Sequence, residues 1–152
     1  MRLLLLPVLS LLVLAGCSRA AAPADAPAAP VQATTIGDFD LTQPIRALGT
    51  EPFWTVDVAS GTITWRDASD AIGDITTPRT GPAGTPVVTG TSAVWTTTLS
   101  DGAPLVLTVT AEPCPDIGEE TRALKSVVQF GDARYEACAD ARSVYPEDVA
   151  PS

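Results

Sequence analysis

The chain has 152 residues, with 18 acidic against 9 basic side chains, no histidine, and a formal net charge of −9. A surface this acidic repels phosphate backbones, which argues against nucleic acid as a partner. Without histidine, no Ser-His-Asp or Cys-His site can be assembled and the commonest general base is missing.

The amino terminus comes first. Residues 1–16 pair an early charge, Arg2, with an apolar run from Leu3 to Ala15. That run is too short for a comfortable membrane span and fits the apolar core of a signal peptide. It ends in Leu14-Ala15-Gly16-Cys17, which resembles the lipobox of bacterial lipoproteins. The resemblance implies a diacylglyceryl group on Cys17, cleavage after Gly16, and acylation of the new amino terminus. Ser18 rather than an aspartate follows the cysteine, which implies sorting to the outer membrane. Several acyl chains together anchor stably, so the expected attachment is a tether to a bilayer with the domain facing the periplasm. Loss of Arg2 with the leader moves the formal charge from −9 to −10.

Residues 17–44 follow as a lipidated cysteine and tether. Ala20-Ala21-Ala22-Pro23 and Ala26-Pro27-Ala28-Ala29-Pro30 cannot bury much surface and favour extended conformations. Ile36 to Pro44 reads as a transition segment, residues 45–142 as the folded domain, and residues 143–152 as a flexible tail.

The domain opens on Gly49-Thr50-Glu51-Pro52-Phe53-Trp54. Gly49 and Pro52 suit a bend that delivers Phe53 and Trp54 into a strand. From there the pattern alternates, with Trp54, Val56 and Val58 on one face and Thr55, Asp57 and Ala59 on the other. Two readings of the bend compete: a plug closing one end of a barrel, or a ligand rim involving Glu51 and Trp54.

Ser60-Gly61 predicts a tight turn into Thr62–Arg66, where Ile63 and Trp65 share a face. A weaker strand is expected over Ile72–Thr77, then a Gly/Pro-rich loop to Pro86. Val87–Thr89 and Ala93–Leu99 follow, the latter with Trp95 and Leu99 on one face. Ser100-Asp101-Gly102-Ala103 turns the chain into Leu105–Ala111. The one departure from the β pattern is a helical turn near Ile117–Leu124. Lys125–Phe130, Gly131-Asp132 and Ala133–Cys138 form the last hairpin. About seven or eight short strands at hairpin spacing predict an all-β fold, a small antiparallel barrel that leaves few exposed edges.

With Cys17 assigned to lipid, Cys114 and Cys138 remain as a pair in an oxidising compartment, and a structural disulfide is the expectation. A redox or metal role is the rival, without Cys-x-x-Cys or histidine to support it. Asp67, Asp70 and Asp74 are the best cation candidates, but their spacing is not that of an EF-hand, and turn-forming aspartates in a solvated loop are the preferred reading. Glu51, Asp57, Asp116 and Glu136 are the acids from which a two-carboxylate hydrolase would have to be built. Arg134 and Tyr135 form a candidate binding pair beside the Gly131 turn, against the plainer reading of a packed tyrosine next to a solvated arginine.

The run Ala47 to Trp54, followed by Gly61-Thr62-Ile63-Thr64-Trp65, resembles a family of proteobacterial envelope lipoproteins that carry GTEPFW near the start of a small β domain. Cys114-Pro115-Asp116 and Tyr135-Glu136-Ala137-Cys138 match the family's later outline. Ile117-Gly118-Glu119-Glu120-Thr121 departs from the Gly-Met-Ser-Asp type of run found there. The family is loosely similar to META-type domains and to lysozyme-inhibitor barrels, and it supplies no catalytic site to carry over. The lipobox, the tether, the strand pattern and the missing catalytic groups together predict a non-enzymatic module that binds a protein or small molecule or supports envelope integrity, with no cofactor. An inhibitor of a basic envelope-attacking enzyme and a carboxylate-dependent hydrolase are the alternatives.

Overall fold

The structure, a computed structural model, describes residues 33–67, 77–117 and 120–145. Cys17, the tether up to residue 32, Asp70, Asp74, most of the weak strand expected near residue 72, and the tail beyond residue 145 lie outside the described residues.

A short hairpin comes first, β1 (Thr35–Ile36) with β2 (Phe39–Asp40). The main sheet begins with β3 (Ile45–Thr50), β4 (Phe53–Ala59), β5 (Thr62–Asp67) and β6 (Arg79–Pro82). It continues with β7 (Val87–Thr89), β8 (Ser92–Thr98) and β9 (Pro104–Thr110). A second small pair, β10 (Cys114–Pro115) and β11 (Thr121–Arg122), interrupts the run. The last hairpin is β12 (Leu124–Phe130) with β13 (Ala133–Ala141), and a 3-10 turn covers Arg142–Val144.

Nine of these strands form one antiparallel sheet in the order β6-β5-β4-β3-β13-β12-β9-β8-β7. Two meanders are thus joined where β13 returns to pair with β3, with Cys138 opposite Leu48 and Ala141 opposite Ile45. The sheet curls until β6 meets the second half of β8. Gly81 permits that meeting, since a Cβ there would stand 2.6 Å from the Thr98 carbonyl oxygen. The expected small all-β barrel is therefore the observed architecture, with its strands in a single curled sheet. Of the helical turn entertained over Ile117–Leu124, Ile117 is in 3-10 conformation, residues 118–119 lie outside the described residues, and Thr121–Arg122 form β11.

Alternation sets the inner face. Ile45, Val56, Ile63, Trp65, Leu105, Leu107, Val109, Leu124 and Val128 are fully buried. Trp54 stacks on Trp65 with ring centroids 5.6 Å apart, Trp65 stacks on Phe130 at 5.0 Å, and Tyr135 tilts against both tryptophans. Offset stacking of this kind adds to the large apolar area that such rings bury. Arg79 caps this end of the aromatic column: it lies 4.6 Å over the Phe130 ring and pairs with Asp67 at 2.8 Å and Asp101 at 3.1 Å.

Both ends of the folded unit extend past the boundaries read from sequence. Ile36 and Phe39 belong to the buried core, so the segment expected to be a transition packs as part of the domain. At the other end Tyr145 is only 8% exposed, where a loose tail was expected from residue 143. Two-residue strands and one aromatic in a proline- and acid-containing segment leave too little periodicity to reveal either contact.

Candidate functional site

The GTEPFW motif is a hairpin. β3 and β4 are joined by the two-residue turn Glu51-Pro52, whose peptide bond is cis, with Thr50 opposite Phe53 and Gly49 opposite Trp54. Period two then divides the motif between the faces. Gly49 and Trp54 point inward, and a Cβ on Gly49 would collide with the Trp54 indole, so the glycine makes the seat for that ring. Thr50, Glu51 and Phe53 are exposed, Phe53 by 37%. Trp54 therefore anchors the core, as the plug reading of the bend would have it, while Glu51 stands at the tip.

Beside this turn lies an open groove of ≈ 560 Å³. One side is the outer surface of β3, β13 and β12, contributing Leu48, Glu136 and Val127. The opposite wall is the Cys114–Ile117 segment, fastened to β13 by the Cys114–Cys138 disulfide. The two cysteines are 24 positions apart, and closing such a loop stabilises the fold by about 3–4 kcal/mol on a chain-entropy view. The disulfide is thus structural, and it also shapes the groove.

The wall has its own support. Asp116 Oδ2 accepts from Arg122 Nε at 2.9 Å, and the Asp116 amide donates to the Glu120 carbonyl at 2.8 Å. The Asp116 bond, partly offset by desolvation, raises the Arg122 pKa above its ordinary value. Arg122 in turn lies 4.6 Å over the Tyr145 ring, which ties the carboxyl-terminal turn to the groove wall. Burial pushes the Tyr145 phenol up to about 12.

Three of the four candidate acids, Glu51, Asp116 and Glu136, line this groove. Glu136 is held by Arg134 at 2.8 Å on the rim. Glu51 has no ion pair among the described residues. Lys125, the groove's cation, is engaged by Glu112 at 2.7 Å. Tyr135 points inward against Trp54 and Trp65, so Arg134 and Tyr135 occupy opposite faces of β13 and do not form a joint surface.

Asp57, the fourth acid, sits elsewhere, on the outer face of β4. It accepts a bidentate pair from Arg46, at 2.7 Å from Nε and 2.9 Å from Nη2, and a third bond from Arg66 at 3.0 Å. Arg142 Nε lies 3.8 Å away. Arg46 is only 3% exposed. Sequence reasoning placed Asp57 on the strand face opposite Trp54 and Val56 and among the candidate acids, and missed this cluster. Arg46 and Asp57 are equidistant from the Glu51-Pro52 turn, which is the signal that reading it as a hairpin would have supplied.

Asp67, proposed with Asp70 and Asp74 as a cation site, is ion-paired to Arg79. Among the described residues no group of three Cys, Asp or Glu side chains could hold a metal ion, and no helix is long and apolar enough to cross a membrane. No protein-family profile, curated protein or solved structure matches the chain.

Proposed function

We propose that the chain is a lipid-anchored periplasmic β domain at the outer membrane, acting without catalysis as a binding or envelope-integrity module. The lipobox-like Leu14-Ala15-Gly16-Cys17, the Ala/Pro-rich tether and the GTEPFW resemblance support the anchoring and the family. One observation carries the binding reading. The same motif that seats Trp54 in the core presents Glu51 and Thr50 to a groove whose far wall is fixed by a disulfide. A preformed concavity with a few polar groups on a rigid scaffold is the usual form of a recognition site.

Affinity capture tests this reading. The full chain, in detergent and with its disulfide intact, is immobilised and exposed to periplasmic extract and to c-type lysozyme. A saturable partner, lost on Glu51→Gln and on Leu48→Ser while the near-ultraviolet circular dichroism is unchanged, is the expected result. Retention that is indifferent to both changes would place the binding face elsewhere.

The acidic groove and the net charge of −9 favour a second reading, inhibition of a basic envelope-attacking enzyme. Charge complementarity of this kind accelerates encounter and selects partners. Lysozyme turnover unaffected by a large excess of the chain would remove it. A carboxylate-dependent hydrolase has less in its favour, since arginines hold Asp116 and Glu136, two of the three acids at the groove.

A further inference from the structure

Resting on the binding-module reading, we propose that the groove receives an extended basic polypeptide segment, with Glu51 taking a lysine or arginine side chain of the partner and Leu48, Val127 and Ile117 taking its apolar neighbours. Three features of the groove select this occupant.

The first is how its charges are disposed. Asp116 is paired with Arg122, which also holds Glu120, while Glu136 is paired with Arg134 and Lys125 with Glu112. Glu51 is left as the groove carboxylate without an ion pair among the described residues. One open carboxylate suits one cationic side chain; a polyamine or a metal ion would require several carboxylates to be open together.

The second is the apolar component. Ile117, at the lip of the wall, is 69% exposed, and Leu48 and Val127 are half-buried on the opposite side. An exposed large aliphatic side chain facing others across a cleft is the kind of surface that a partner's apolar residue covers. Alternating basic and apolar side chains of an extended segment would reach the turn and the lip in succession, because neighbouring residues of a strand point to opposite sides.

The third is the protein's overall charge, −9, which draws basic segments towards it and repels acidic ones.

The wall itself makes the site conditional. It is joined to β13 through Cys114–Cys138 and to the carboxyl-terminal turn through the Arg122–Tyr145 contact. Reduction by a dithiol would cleave the bond between the two sulfurs, leave two thiols and oxidise the reductant to its own disulfide. The wall would then be free to leave Leu48, and affinity would fall.

Fluorescence anisotropy on the full chain in detergent decides the matter. The probes are a labelled octapeptide alternating lysine and leucine, its glutamate-leucine counterpart, and unlabelled spermine as competitor. The lysine-leucine peptide is expected to bind saturably, to weaken about tenfold or more in Glu51→Gln, as loss of one partner of an interfacial charge pair does, and to weaken again with dithiothreitol. Arg134→Ala, which opens Glu136, is expected to tighten it. Three outcomes overturn the proposal: equal binding of the acidic peptide, complete displacement by micromolar spermine, or an unchanged affinity in Glu51→Gln. Partner capture that survives Glu51→Gln but fails in Leu48→Ser would sink this basic-segment assignment and leave the binding-module reading standing.

Discussion

The two faces of the β3–β4–β13 part of the sheet bury their residues by opposite means. Inward, Ile45, Ala47, Val56, Ala139 and the Trp54–Trp65 stack exclude water with mainly apolar surface, although the Trp65 indole N–H is buried without a partner among the described residues. Outward, Arg46 and Asp57 are equally hidden but charged, with Arg66 and Arg142 about the same carboxylate. The inner face is stabilised by area and packing, at about 25 cal/mol per Å² of apolar surface removed from water. The outer face depends on each charge keeping its partner, because desolvation of an ion offsets most of the Coulomb attraction. Alternation along a strand identifies an apolar face; it does not show that the other face meets water.

Breaking each face once gives the largest expected effects. Trp65→Ala should cost about 3–5 kcal/mol, the range for removing a buried aromatic, read from urea unfolding. Asp57→Ala should cost a similar amount, about 3–5 kcal/mol, by removing the carboxylate that buried Arg46 faces. The faces part company in the repair. Arg46→Met with Asp57→Leu together should recover most of the loss, since an apolar pair of similar volume often equals a buried ion pair. No such swap is available for Trp65. A double variant as unstable as Asp57→Ala would mean that the ion pair is needed for more than its own neutralisation.

Glycine changes sharpen the contrast at lower cost. Gly49→Ala should destabilise by about 1–3 kcal/mol, typical of overpacking, and should shift the tryptophan emission because the Trp54 indole must move. Gly81→Ala meets the Thr98 carbonyl, which is backbone and yields less readily, so its cost should exceed that of Gly49→Ala. Equal costs would show that the β6–β8 approach is softer than the indole seat.

The smallest effect concerns Tyr145. Its hydroxyl is buried and finds no hydrogen-bond partner among the described residues. Tyr145→Phe should therefore be neutral or stabilising by up to about 1 kcal/mol at pH 7. The phenol's folded pKa is raised to about 12, against an ordinary value of 10.0. A raised pKa means that its contribution is complete below pH 10 and is lost as pH rises from 10 towards 12. Wild type should lose stability across that window relative to Tyr145→Phe, measured by urea midpoints at each pH.

The barrel was legible because Thr- and Val-rich alternation and the turns at Ser60-Gly61, Asp101-Gly102 and Gly131-Asp132 carry most of the register. β3 was not recognised as a strand: its inward residues shrink from Ile45 to Ala47 to Gly49, and Arg46 lies between them, so the apolar alternation fades. β6 is short and holds a glycine and a proline, which read as loop. At the candidate site, the cysteine pairing could be read, and Glu51 could be marked only as one of two readings of the bend. The groove could not, because it needs the disulfide loop and the outer face of β13 brought together from segments more than twenty residues apart. The pairing of Asp116 with Arg122 and the docking of Tyr145 are likewise products of tertiary structure.

The central claim is that the groove beside Glu51 is the working surface. Site-specific photocrosslinking in intact cells tests it most directly, with a benzophenone side chain placed at Thr50, which lines the groove and leaves Glu51 in place, at Ile117 or, away from the groove, at exposed Val87. The account predicts one discrete, shared adduct from Thr50 and Ile117, containing a partner with a basic extended segment, and none from Val87. The same adduct from Val87, or adducts from Val87 alone, would contradict it.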